Sequence, residues 1–159
     1  MRSAWMIKDY QEIVAVASGL LAESKLTPEL KNEAYYYRAK ALLAEGQSKE
    51  AVNDLSVLSK DTRNVYGAEA KYLLAQLYFD AGQTDKAEKE VLDYIEVSTP
   101  HAYWLARSFV LLSDVYMKLG RNLDAKQYLL SLQQNYQADD DIAGMIETRL
   151  AKLNKGSKQ

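Results

Sequence analysis

A chain of 159 residues, 48% of them hydrophobic, can bury one sizeable core and is short for two domains. It has no cysteine, which excludes disulfides and thiolate chemistry, and its net charge of −2 argues against nucleic acid as the main partner. No apolar run approaches the roughly 20 residues of a membrane span, and the opening Met1-Arg2-Ser3-Ala4-Trp5 does not read as a signal peptide. Two prolines and seven glycines among abundant Ala, Leu, Lys, Glu and Gln predict an all-helical chain. Twelve tyrosines against two tryptophans and two phenylalanines are an excess that needs an account.

The first helix is predicted from about Lys8 to Glu23. Its segment Ile13-Val14-Ala15-Val16-Ala17 with Leu20-Leu21-Ala22 is apolar almost all round, which is the pattern of a helix covered on more than one side. Thr27-Pro28 starts the second helix, with a hydroxyl to cap it and proline at its first position; Gly46 ends it. Ser48 is expected to cap the third helix, which carries Ala51, Leu55 and Leu58 at helical spacing and continues to about Lys60. The fourth runs from about Val65 to Ala81 and closes at Gly82. Thr84 caps the fifth, with Ala87, Val91 and Tyr94 on its buried stripe. Thr99-Pro100 opens a sixth helix that ends near Gly120, and Asn122 caps a seventh bearing Ala125, Leu129 and Leu132. Asp139-Asp140-Asp141 suits the positive end of an eighth helix, whose stripe is Ile142, Met145, Ile146, Leu150 and Leu153.

Two unrelated markers recur at one spacing. Gly46, Gly82 and Gly120 stand 36 and 38 residues apart, and so do Ala51, Ala87 and Ala125. Around them the pattern repeats: Tyr35, Arg38, Ala39, Leu42, Ala51 and Leu55; then Lys71, Leu74, Ala75, Tyr78, Ala87 and Val91; then Phe109, Leu112, Ser113, Tyr116, Ala125 and Leu129. Small residues at Ala39, Ala75 and Ser113, opposite the three alanines, let antiparallel helices approach closely.

These residues make the chain resemble the tetratricopeptide repeat family, whose unit is a helix-turn-helix of about 34 residues. The resemblance covers roughly residues 29 to 136. It departs from the family in its longer spacing, and in Arg38 and Lys71, which stand where apolar residues are expected. The longer spacing, with Ala102-Tyr103-Trp104-Leu105-Ala106-Arg107 and Ser131-Leu132-Gln133-Gln134-Asn135-Tyr136, is similar to repeat proteins of the bacterial cell envelope. The resemblance implies an α-α superhelix, or solenoid, of antiparallel helix pairs. It would comprise a half repeat (residues 4–24), three repeats (28–60, 64–97 and 100–136), a capping helix (139–155) and a disordered tail (156–159). The N-terminal end has no lid and carries Trp5, Met6 and Ile7. That favours the C-terminal part of a longer repeat protein, or an end covered by a partner, by further stacked repeats or by self-association. Envelope or periplasm is the expected location for a fragment of a secreted bacterial protein, and cytoplasm otherwise.

In that family the first helices of successive repeats line a concave groove. Carried over, the groove residues are Tyr36, Lys40 and Leu43, then Tyr72, Gln76 and Phe79, then Arg107, Asp114 and Met117, which share one face within each helix. Mixed aromatic, apolar and polar character suits a peptide or protein segment, although Tyr36, Tyr72 and Phe79 equally fit packing between repeats. In Tyr35-Tyr36-Tyr37 the side chains point about 100° apart, so Tyr35 is expected in the core and Tyr36 in the groove. Lys40 and Arg107 are basic, but Leu73 and Leu111 occupy positions where the family's clamp for a C-terminal carboxylate needs polar groups, so that mode is rejected.

No catalytic or metal site is expected, and no cofactor. The single histidine, His101, lies at a helix start, where a surface or capping role is expected. Asp139-Asp140-Asp141 lacks the alternation and loop glycine of a calcium site. Pairs such as Glu88 and Glu90 are expected on solvated faces. The function implied is a non-catalytic protein-interaction scaffold. The alternatives are an accessory or regulatory region of a larger enzyme or regulator, and an RNA-binding helical repeat, which the acidic balance disfavours.

Overall fold

The structure, a computed structural model, describes residues 2–97 and 99–157; for residues 2–8, 156 and 157 it describes the backbone alone. Among the described residues every regular element is an α-helix: α1 (Arg2–Leu21), α2 (Pro28–Ala44), α3 (Ser48–Leu58), α4 (Val65–Asp80), α5 (Thr84–Glu96), α6 (Ala102–Lys118), α7 (Asn122–Asn135) and α8 (Ile142–Ser157). The all-α class and the tandem hairpins expected from the sequence are found. The chain divides into two compact units, Met1–Leu74 and Ala75–Gln159, and α4 contributes to both.

Each hairpin bends at a glycine in the left-handed region: φ is 78° at Gly46, 79° at Gly82 and 78° at Gly120. The same two hydrogen bonds close each turn. Gln47 N donates to Leu42 O at 2.8 Å and Gly46 N to Leu43 O at 3.0 Å; Gln83 N to Tyr78 O and Gly82 N to Phe79 O, then Arg121 N to Tyr116 O and Gly120 N to Met117 O, repeat the pattern. A Cβ at that φ is strained. Gly82→Ala is therefore expected to cost about 1 kcal/mol by chemical denaturation, although open space surrounds the site.

Ser48, Thr84 and Asn122, expected as caps, are instead the first residues of their helices. The capping positions are Gln47, Gln83 and Arg121, and none makes a side-chain cap hydrogen bond. The glycine turn is tight enough that the next helix starts two residues later, one position before the hydroxyl or amide could act. Thr27 does cap α2, accepting from Leu30 N at 3.3 Å with Pro28 at the first helical position. Thr99-Pro100 is not its equivalent: α6 begins at Ala102, and Thr99 accepts from His101 N at 3.2 Å. Asp140 Oδ1 accepts from Ile142 N at 2.9 Å and starts α8, which runs through Gly156 and Ser157, where a tail was expected. Lys158 and Gln159, and the side chains of Trp5, Met6 and Ile7, lie outside the described residues.

In the first unit α2 packs against α1 and α3. Ala39 and Ala51 are fully buried at the α2–α3 contact. Arg38, which departs from the repeat pattern, is held by buried Asp54 through a bidentate pair, Nε to Oδ2 at 2.8 Å and Nη2 to Oδ1 at 2.6 Å. In the second unit α6 packs against α5, α7 and α8, and α7 against α8. Ala106 and Val110 of α6, Leu129 and Leu132 of α7, and Ile142 and Ile146 of α8 form one buried cluster. Full burial of a side chain the size of Leu129 or Ile146 contributes about 1.5–3 kcal/mol.

Candidate functional site

The expected groove residues fall into two sets, one in each unit. In the first unit, Tyr36 and Lys40 meet on α4. The Tyr36 hydroxyl donates to Glu69 Oε1 at 2.9 Å, and Lys40 Nζ donates to Glu69 Oε2 at 2.8 Å. Glu69 is buried, and both its oxygens are satisfied by side chains one turn apart on α2. Burial, followed by the bond to Glu69, pushes the Tyr36 hydroxyl well above the ordinary tyrosine range. Tyr66 packs on the Tyr36 ring at 4.7 Å between centroids, and Tyr37 meets it edge-on at 5.4 Å. Leu43 is half-buried.

Tyr72 departs from the expectation. It is 6% exposed and belongs to the packing. It follows Ala68, Glu69 and Ala70 on α4, all of them buried. Tyr35 is half-buried, and Tyr37 is the exposed member of its triplet.

In the second unit, Phe79, Asp114 and Met117 come together at an open groove of about 630 Å³. Phe79 is at the end of α4, and Asp114 and Met117 are one turn apart on α6. The far wall is α8, through Arg149, Lys152 and Leu153. Arg149 grips Asp114 in a bidentate pair, Nε to Oδ1 at 2.8 Å and Nη2 to Oδ2 at 2.9 Å. This fork orients Asp114 and neutralises it. Lys118 stands 5.4 Å from the Phe79 ring centroid. Three cations, Lys118, Arg149 and Lys152, thus line the groove against one carboxylate among the described residues, Asp114. Apolar walls with surplus positive charge suit an apolar residue next to a carboxylate.

Gln76 and Arg107 do not line this groove. Gln76 donates to Asp80 at 2.8 Å along its own helix. Arg107 donates to the Tyr103 hydroxyl at 3.0 Å, lies 3.9 Å from Asp141, and stacks over Tyr103 and Trp104.

Sequence reasoning missed Glu69 and the α8 wall. Arg149 follows Ile146 by three residues and Ile142 by seven, at the edge of the buried stripe, which was the legible signal. The three aspartates before α8 serve structure. Asp140 accepts from the Tyr136 hydroxyl at 2.6 Å as well as capping the helix, and Asp141 accepts from the Tyr103 hydroxyl at 2.9 Å. Burial and the bond to Asp140 push the Tyr136 hydroxyl up to about 12. Glu88 is not simply solvated: it is half-buried and lies 3.6 Å from Arg121, which sits 4.3 Å over the Tyr116 ring. Glu90 is half-buried. Tyr36, Tyr103 and Tyr136 thus give part of the tyrosine excess a role, as hydroxyl donors to carboxylates.

The repeat geometry has a counterpart among known families. Residues 68–99 and 106–135 match the family model of the tetratricopeptide repeat. These stretches are the α4–α5 and α6–α7 hairpins, which are thus similar to tetratricopeptide repeats. Tetratricopeptide repeats generally mediate protein–protein interaction and are typically not catalytic. The matches are to the repeat itself and give no support to a cell-envelope type. No curated protein and no solved structure gives a significant match. Among the described residues, no helix is long and apolar enough to cross a membrane.

Proposed function

We propose that the chain is a non-catalytic protein-interaction scaffold and that it holds a peptide or protein segment in the groove between the end of α4, α6 and α8. The observation that carries this reading is the union of Phe79 and Met117 with Lys118, Arg149 and Lys152 in one open groove. Aromatic and apolar walls supply contact area, and the cations select a segment that carries Asp or Glu. Tyr36 and Lys40 of the first unit are committed to Glu69 and act as support for α2 and α4. Nucleic acid is disfavoured by the net charge of −2.

Peptides selected from a random display library against the chain test the reading. The enriched sequences should pair an apolar residue with an acidic one. Phe79→Ala or Lys152→Glu should weaken their binding by about tenfold, or 1.4 kcal/mol, with an unchanged far-UV circular dichroism melt. Unchanged affinity in both folded variants removes the groove from the function.

A further inference from the structure

A second groove, of about 450 Å³, lies wholly in the first unit between α1 and α2. It shares no residue with the groove assigned above. Its floor is Ala17 and Ala34, both buried, and its apolar walls are Ile13 and Val16 of α1 with Leu30 and Tyr37 of α2. All four wall residues are exposed, Val16 at 59% and Tyr37 at 52%. Scattered surface apolar residues are ordinary, but four converging from two helices form a continuous patch. The lining runs from Asp9 to Leu20 on α1, which is roughly 17 Å or three helical turns.

The charge on this groove has one sign. Asp9, Glu12 and Glu33 line it, and no described basic side chain does. A phosphate backbone or an anionic bilayer is repelled by such a rim, whereas Lys and Arg beside an apolar stripe complement it. The length, the apolar floor and the acidic edges together match a helix laid in a groove. We propose that the α1–α2 groove docks an amphipathic helix of a partner protein, with Leu-like residues on its inner face and Lys or Arg flanking them.

The probe is a synthetic helix of about 14 residues with leucines at i, i+3, i+4 and i+7 and lysines beside them. It is compared with a glutamate-flanked version and with a scrambled peptide of the same composition. Fluorescence anisotropy with the full chain should show binding of the lysine peptide that weakens in high salt, with the other two weaker by about tenfold or more. Val16→Asp, at an exposed position that leaves the fold intact, should remove binding. The double variant Glu12→Lys, Glu33→Lys should exchange the preference to the glutamate peptide. Four results overturn the proposal: no binding, equal binding of the scrambled peptide, binding indifferent to Val16→Asp, or a sedimentation dimer dispersed by Val16→Asp, which would make a second copy the occupant. Phe79→Ala should leave this binding unchanged, so failure here and failure of the α4–α6–α8 groove are separable.

Discussion

Gly67→Ala should destabilise the chain by about 3 kcal/mol and lower its melting temperature by roughly 6–12 °C. Gly67 is helical, in the first turn of α4, where alanine would ordinarily be favoured by about 1 kcal/mol. Space reverses that preference. A Cβ there would overlap the Asp61 carbonyl oxygen and lie 2.6 Å from the Leu58 carbonyl oxygen, both of them backbone atoms that cannot swing aside. The turn they belong to is tied down: Asn64 Nδ2 donates to Asp61 O at 3.1 Å, and Gly67 N donates to Asn64 Oδ1 at 2.8 Å. Moving the carbonyl outward would break the bond from Asn64 Nδ2 that holds the turn before α4. Gly144→Ala is the control. That glycine is helical too, and nothing lies within 4 Å of the point where an alanine methyl would stand, so the change should be neutral or stabilise by up to about 1 kcal/mol. Equal effects of the two substitutions in urea denaturation would rule out the close approach of α4 to the preceding turn.

Asp54→Ala is the second large effect expected, again about 3 kcal/mol. Its carboxylate is 4% exposed and receives both arms of Arg38, whose side chain is 24% exposed. Removing it strands a guanidinium that is mostly out of water, and breaking a buried pair costs about 3–5 kcal/mol. Arg38 is partly solvated and also donates to Ser18 at 3.1 Å, which places the effect at the low end. Replacing both partners, as in Arg38→Met with Asp54→Leu, should recover most of the loss, because no charge is then left unpaired. A double variant as unstable as Asp54→Ala would show that the helices need the ion pair itself. Denaturation midpoints of the three proteins decide it.

These two sites show where sequence reasoning stops. Arg38 breaks the repeat pattern and reads as a defect when taken alone. Its partner is on the next helix, 16 residues away, and only packing shows that Asp54 is buried beside it. Gly67 is silent in sequence for the same reason, since its constraint is a carbonyl of the preceding turn. The nine expected groove residues divide likewise. Phe79, Asp114 and Met117 line an open groove, but spacing could not show that Tyr72 is enclosed or that Tyr36 and Lys40 share Glu69.

What the sequence determined by itself is the hairpin grammar: the helices, the glycine bends and the alanine contacts that recur with them. Those features are local or periodic, because a left-handed turn needs glycine and a close helix pair needs small residues, wherever they occur. Tertiary structure alone decided which charges are paired, which aromatics are enclosed and which helix faces stay open. These outcomes depend on side chains from distant parts of the chain meeting in space, and desolvation, which sets their energetic sign, exists only once the helices have packed.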